Sequence, residues 1–301
     1  MSSSSPDPQQ TSEVPGAQGT LPEGVEFDKV ISALAKTFMV AHVDDSDERL
    51  AQSLVYNAAR LAWRLREQGV EVQSKTSVSD VVTTADLAAE KFVTEVLRTL
   101  RPEDGIVGEE GAAHPATSGR TWVIDPVDGT YNFASGSDYF CSALALVRGP
   151  VEEPTEVLFG AVHRPAMGYT WFGGKNYPTT RDGEPVTMGT KKELSQACVA
   201  TYLHPAVMHE DLAGPWRSVV SAAATVRMFG SGSLDIAGVA DGSWDLWLQN
   251  SVKDWDWLPG RGLIEGVGGV ASRVVTPTAT WSIAGTAALV EAATALLRNN
   301  N

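Results

Sequence analysis

Apolar side chains recur at helical spacing through Leu50, Leu54, Ala58, Leu61 and Leu65, and Gly69 supplies a stop, so a helix is predicted over about Glu48 to Gln68. A shorter helix is expected over Val25 to Val40, where Phe27, Val30, Ile31, Leu34 and Phe38 precede the acidic break Asp44-Asp45-Ser46-Asp47. A third follows Thr83, with Leu87, Phe92, Val93, Val96, Leu97 and Leu100 on one face. Beyond Pro102 the period changes. Ile106-Val107 and Trp122-Val123-Ile124 read as short buried strands, and the stretches 140–147, 157–163 and 169–172 continue a strand-rich middle punctuated by Gly and Pro. Helices and strands then alternate: a helix over 233–240, a strand over 244–248, a helix over 258–264 and a last Ala/Leu-rich helix over 287–297. There is no internal repeat, and the mixture implies layered helices and sheets in two closely packed lobes.

Composition adds boundaries to this pattern. Residues 1–24 are mostly Ser, Pro, Gln, Gly and Thr without Lys or Arg, and are expected to form a disordered tail because they offer too little apolar surface to offset ordering entropy. The whole chain, at 43% apolar and 20% charged, is otherwise that of an ordinary globular protein. No apolar run approaches the roughly 18 residues that span a bilayer. The opening MSSSSPDPQQ lacks the basic and apolar regions of a secretory leader, so a cytoplasmic location is expected. Cys141 and Cys198 sit in apolar contexts without metal-ligand spacing and read as small core residues, which excludes a disulfide scaffold. The net charge of −14 argues against nucleic acid or an anionic membrane as partner, and suits a site that gathers cations.

Four acidic segments carry candidate chemistry. In Thr121-Trp-Val-Ile-Asp125-Pro-Val-Asp128-Gly-Thr-Tyr-Asn-Phe133 an apolar strand delivers Asp125 at its carboxyl end, where Pro126 is expected to end ladder pairing. Asp128-Gly129 then makes a tight turn before a helix starting near Thr130. Two carboxylates around one turn can share a hard cation such as Mg²⁺, and the backbone N–H groups of Gly129 and Thr130 would face an anion at the same place. Gly108-Glu109-Glu110-Gly111 offers another carboxylate at a strand end, or simply an exposed loop. Thr83 and Asp86 form a capping box, or Asp86 acts as a base that orients a water. Asp256, in Asp254-Trp-Asp256-Trp-Leu-Pro259, is a helix N-cap with Pro259 in the first turn, or a further ligand. Gly230-Ser-Gly-Ser233 reads as a helix start with close backbone packing, or a phosphate cradle. The histidines show no HxH or HExxH spacing, and GxSxG, P-loop and GxGxxG motifs are missing.

Taken together these residues resemble the inositol monophosphatase family of Mg²⁺-dependent, lithium-sensitive phosphatases. The motifs fall in the family's order over about residues 48–297: Lys75 with Asp80-Val-Val-Thr83 and Asp86, Gly108-Glu109-Glu110, the Asp125–Phe133 string, Gly232-Ser233-Leu234-Asp235, and Trp255-Asp256 with Gly268-Gly269. The resemblance implies a layered α/β fold, the αβαβα sandwich of the inositol monophosphatase and fructose-1,6-bisphosphatase type, as a homodimer. It divides the chain into the tail, an extension over 25–47 and a phosphatase domain over 48–301. It also implies about two to three Mg²⁺ ions per active site. One would be held by Glu109, Asp125 and the Val127 carbonyl. Another would be bridged by Asp125 and completed by Asp128 and Asp256, and a third would lie near Glu109 and the segment of Lys75. Thr130, hydrogen-bonded to Asp86, would help activate the attacking water, and the Gly129 and Thr130 N–H groups would hold the phosphate.

The substrate side departs from the family's usual sequence. Gln249 stands where a Glu commonly contacts the polyol, and Leu234 where Ala is frequent beside the leaving group. Gly266-Val267-Gly268-Gly269 replaces Glu-Ala-Gly-Gly, and the Gly173–Tyr177 hairpin replaces a basic one. Lys75, Gly232, Ser233, Leu234 and Gln249 join Asp128, Gly129 and Thr130 as expected substrate contacts. The expected reaction is hydrolysis of myo-inositol monophosphate, with histidinol phosphate, fructose 1,6-bisphosphate or adenosine 3′,5′-bisphosphate as alternatives. A catalytically idle dimeric binding module is the reading from another class.

Overall fold

A computed structural model describes residues 25–69, 72–77 and 80–299, so the expected tail lies outside the described residues. The first layer is helical: α1 (Val25–His42), α2 (Asp47–Glu67) and, after a hairpin of β1 (Val72–Ser77) and β2 (Asp80–Thr83), α3 (Thr84–Leu100). Leu50, Leu54, Ala58 and Leu65 of α2 are buried as their spacing predicts. The other two stripes are narrower than expected. In α1, Ile31, Ala35 and Phe38 face inward while Val30 and Leu34 are exposed, and Leu87 of α3 is exposed because the smaller Ala85, Ala88 and Ala89 take the inner face.

These helices cover an eight-stranded sheet built from β3 (Gly105–Gly108), β4 (Ala113–His114), β5 (Arg120–Asp128), β6 (Cys141–Arg148), β7 (Glu156–Arg164), β8 (Tyr169–Gly174), β9 (Tyr177–Arg181) and β10 (Glu184–Pro185). Its order is β10-β9-β8-β7-β6-β5-β3-β4, antiparallel throughout except for the parallel β3–β5 pair. A single helical turn, α4 (Thr130–Ala134), follows β5. The second sheet has five strands in the order β12-β11-β13-β15-β14: β11 (Cys198–Tyr202), β12 (Thr225–Arg227), β13 (Leu246–Asn250), β14 (Val270–Val275) and β15 (Thr280–Gly285). Between the sheets lie α6 (Gly232–Ala240) and α7 (Asp254–Gly266), and α5 (Ala213–Ala222) and α8 (Ala287–Asn299) cover the outer face. The result is the αβαβα sandwich. Sheet β5–β6 is apolar without alternation because both its faces are covered by helices.

Three corrections follow from packing. The strand expected from Trp244 begins at Leu246, since the Trp244 ring instead fills the notch over Gly238. The helix expected from Leu258 begins at Asp254, so Pro259 lies in its second turn. The short strands β11 and β12, the pair β14–β15 and helix α5 are additions to the predicted elements. Between the sheets the approach is close: a Cβ on Gly160 of β7 would collide with the Pro259 carbonyl of α7, so only glycine fits there. Cys141 is buried, Cys198 half-buried, and both are free. No helix among the described residues is long and apolar enough to cross a membrane.

Candidate active site

Strand β5 does not stop at Pro126. Asp125 pairs with Ala143 and Asp128 with Cys141, so Pro126 and Val127 lie in a bulge where a residue without an N–H costs no ladder bond. The Pro126 carbonyl is satisfied by the Ser142 hydroxyl. The bulge bends the strand so that Asp125 and Asp128 reach one place. Gly129 then turns at φ +91°, a conformation that L side chains avoid, and a Cβ there would also crowd Gly230, Ser231 and Tyr139.

Helix α7 brings Asp256 to the same point. Its N-cap is Lys253, so Asp256 is no cap but a first-turn residue projecting toward β5. Carboxylate oxygens of Asp125, Asp128 and Asp256 lie within 4.8 Å of one another. Asp125 is 1% exposed; its Oδ1 accepts the Val127 N–H at 3.1 Å and its Oδ2 is buried without a partner. Asp128 accepts from Gly232 N–H at 3.2 Å and Ser233 N–H at 2.5 Å. Glu109 lines the same cavity and repels Asp125, while its own N–H donates to Ile124 at 3.2 Å. The loop carrying Glu109 is held by Glu90, whose carboxylate accepts the Glu110 and Ala112 N–H groups at 2.8 Å each.

Burial sets the acidities here. It pushes Asp125 well up, with Glu109, Asp128 and Asp256 adding repulsion. Asp128 is raised by burial against the pull of its Ser233, Ser231 and Gly232 donors, and Asp256 is raised to about 7 by burial and then by Asp128. Oxygen-only donors, with Asp125 and Asp128 buried and Asp256 half-buried, mutually repelling and with one oxygen unpartnered, are the donor set of a hard divalent cation. The residues therefore fit such an ion.

The remaining expected residues divide. Asp86 is both cap and candidate base: Thr83 donates to it from hydroxyl and, at 3.0 Å, from backbone, while its Oδ1 has no partner and burial lifts it to about 6. The Thr130 hydroxyl, although near Asp86, donates to the Val127 carbonyl at 3.0 Å, the local hydroxyl-to-backbone bond that a turn threonine favours. The Thr130 side chain also acts on Asp86, lowering its carboxyl against the effect of burial. Gly232 and Ser233 spend their N–H groups on Asp128, and Gly232 lines the cavity. Leu234 is 3% exposed and faces a separate small cleft with Tyr139 and Trp244, so it does not touch the cavity; the third residue of α6 packs toward β6 and β7. The backbone of Lys75 lies in β1, and its side chain lies outside the described residues. Gln249 lines the cavity.

The cavity has a volume of about 550 Å³, with the acids at one end. Its other walls come from Tyr131 of the central string and from residues that the motifs do not include, Tyr202, His204, Met228 and Phe229. Asn132 of the central string fastens α4 to the loop after β12 by donating to the Phe229 carbonyl at 2.7 Å.

Comparison with known proteins agrees with this geometry. The sequence matches the inositol monophosphatase family over residues 39–297. It is 32% identical over 205 residues to an inositol-1-monophosphatase of Rhizobium meliloti, covering 67% of this chain and 75% of that one. It is 29% identical over 202 residues to a fructose-1,6-bisphosphatase/inositol-1-monophosphatase of Thermotoga maritima, covering 67% and 74%. The crystal structure of an extragenic suppressor protein of Bartonella henselae superposes with a TM-score of 0.74 at 23% identity, covering 83% of this chain and 97% of that one, which shows the shared fold. The chain belongs to the inositol monophosphatase family and is a phosphoric monoester hydrolase.

Proposed function

We propose that this enzyme hydrolyses phosphate monoesters of small alcohols, myo-inositol monophosphate among them, with about two to three Mg²⁺ ions per site. The observation that carries the reading is the convergence of Asp125, Asp128 and Asp256, from β5, its turn and α7, beside Glu109 at one end of an open cavity. Glu109, Asp125 and the Val127 carbonyl would hold one ion, and Asp125, Asp128 and Asp256 another. Bound divalent cations supply the positive charge that a phosphate dianion needs at its attacking and leaving oxygens.

The chain's own groups do the rest. The Gly129 and Thr130 N–H groups orient the phosphate at the turn. Asp86, raised to about 6 and so ionised at neutral pH, takes the proton of the attacking water, with the Thr130 hydroxyl fixing that water's position. Direct attack by water needs no protein nucleophile, and none of Ser, Cys or Lys lines the cavity among the described residues. Inhibition by lithium and a two-fold dimer belong to the same reading, and are checked by a Li⁺ titration and by light scattering. The test of the function is kcat/KM over a panel of phosphate esters with Mg²⁺. Turnover of myo-inositol 1-phosphate that disappears in EDTA supports the reading, and a failure to release phosphate from any ester refutes it.

A further inference from the structure

Glu109 reaches the acidic cluster from the loop that follows β3, so its aim depends on how that loop is tied. Its own N–H donates to the Ile124 carbonyl of β5 at 3.2 Å, one residue before Asp125. The next N–H, that of Glu110, donates to Oε2 of Glu90 at 2.8 Å, and the Ala112 N–H donates to Oε1 of the same carboxylate at 2.8 Å. The loop closes on itself through the Gly108 N–H, which donates to the Ala112 carbonyl at 2.8 Å. Backbone on both sides of the Glu109 Cα is therefore fastened, on one side to the strand that carries Asp125 and on the other to α3.

Glu90 is 5% exposed and does not line the cavity. A buried carboxylate is costly unless its oxygens are hydrogen-bonded, and both oxygens of this one accept from the loop. A Cβ on Gly108 would collide with that carboxylate, so glycine is what lets the Glu90 side chain lie against the loop. Asp86 stands four residues before Glu90 on the same face of α3, so one helix carries both the candidate base and the clasp on the loop. The outer side of α3 is fixed separately: Lys91 pairs with Asp28 of α1 at 3.0 Å, and Phe92 meets the ring of Phe38 edge to face at 5.3 Å.

We infer that Glu90 is a positioning residue for the metal site: by fixing the Glu109 backbone against Asp125 it sets the affinity for the ion that these two acids would share, and it touches neither ion nor substrate. The inference rests on the metal reading above and lies one residue behind it. The chemistry is specific to a carboxylate. Two converging N–H groups need two acceptor oxygens, which Glu and Asp have, whereas Gln would turn its NH₂ toward one of the two donors.

The experiment compares wild type, Glu90→Gln, Glu90→Asp and, as a control for lost stability, Phe38→Ala, which opens the contact between α1 and α3 and leaves the loop alone. Mg²⁺ affinity is read by calorimetry without substrate, amide hydrogen exchange over 108–112 in EDTA, and kcat as a function of Mg²⁺ concentration. Glu90→Gln should exchange faster over 110–112 and bind Mg²⁺ about tenfold to a hundredfold more weakly, the scale set by groups that hold a metal ligand in place. Its half-activating Mg²⁺ concentration should rise by the same factor, while kcat at saturating Mg²⁺ stays near that of the wild type. Glu90→Asp keeps both acceptors one methylene short of the loop, so it should bind Mg²⁺ more weakly than wild type and more tightly than Glu90→Gln, and it carries the test alone if the Gln variant does not fold. Phe38→Ala should melt at a lower temperature and keep wild-type Mg²⁺ affinity. Wild-type Mg²⁺ affinity in either Glu90 variant overturns the inference, and so does an equal loss of affinity in Phe38→Ala. If the wild type itself binds no Mg²⁺, the metal reading of the site falls; if the wild type binds it and the Glu90 variants bind it equally well, this inference falls alone.

Discussion

Replacing Asp125 by Asn keeps the side chain's size and its bond from the Val127 N–H, yet removes the charge that Glu109, Asp128 and Asp256 repel. In metal-free solution Asp125→Asn should therefore melt at a higher temperature than the wild type, and a lower one would show that the cluster is not self-repelling. Asp86→Asn separates the two roles of that residue. Asn can still accept the Thr83 N–H, so the helix cap survives, but it cannot take a proton. We expect kcat to fall by about 10² or more with little change in melting temperature. Lost stability with unchanged kcat would make Asp86 a cap and nothing else. Much of this residue-level chemistry is legible in the sequence, because Asp125, Asp128 and their glycine turn lie in one short string that bears its geometry locally. Tyr202, His204 and Phe229 are not legible, because they reach the cavity from separate segments and look like ordinary core or loop residues until the sheets are assembled.

At the scale of elements, the site depends on how close α7 lies to the first sheet. Gly160 sits on β7, away from the acids, but a methyl there meets the Pro259 carbonyl, one turn along α7 from Asp256. Gly160→Ala should destabilise the fold by about 1–3 kcal/mol, as overpacking does, and should also weaken Mg²⁺ binding by moving Asp256. Thermal melting and a Mg²⁺ titration check the two effects. Lower stability with unaltered Mg²⁺ affinity would show that α7 yields without carrying Asp256 along. The long helices α2 and α3 were readable from spacing because each buries a continuous stripe. Strands β11 and β12 were not: Cys198-Val-Ala-Thr-Tyr202 is short and shows no clean alternation, and Thr225-Val-Arg227 is shorter still. The start of α7 is not legible because Pro259 reads as a first-turn residue, whereas the helix begins five residues earlier at Asp254.

For the whole molecule, the buried acids tie stability to pH. Asp125, Asp128, Asp256 and Asp86 all have folded pKa values above their unfolded ones, Asp256 to about 7 and Asp86 to about 6. Their contribution is therefore full below the unfolded carboxylate range and is lost as pH rises through the folded values. Buried His163, lowered to about 4, has the opposite sign and loses its contribution as pH falls, but it lies outside the acidic cluster and so cancels between metal-free and metal-bound protein. The rise in melting temperature on adding Mg²⁺ should be larger at pH 8 than at pH 5.5, since protons compete with the ion for the same oxygens. An equal or larger rise at pH 5.5 would contradict this. The layered fold as a whole was anticipated through the family resemblance rather than through periodicity, which by itself reached only stacked helices and sheets. The central claim, that these converging carboxylates make a metal-dependent phosphatase, is tested most directly by phosphate release from myo-inositol 1-phosphate as Mg²⁺ is titrated into EDTA-stripped wild type and Asp125→Asn. The account expects saturable activation of the wild type and a loss of more than about 10²-fold in the variant, beyond what changing a residue behind a ligand costs. Wild-type turnover without metal, or full turnover by Asp125→Asn, would contradict it.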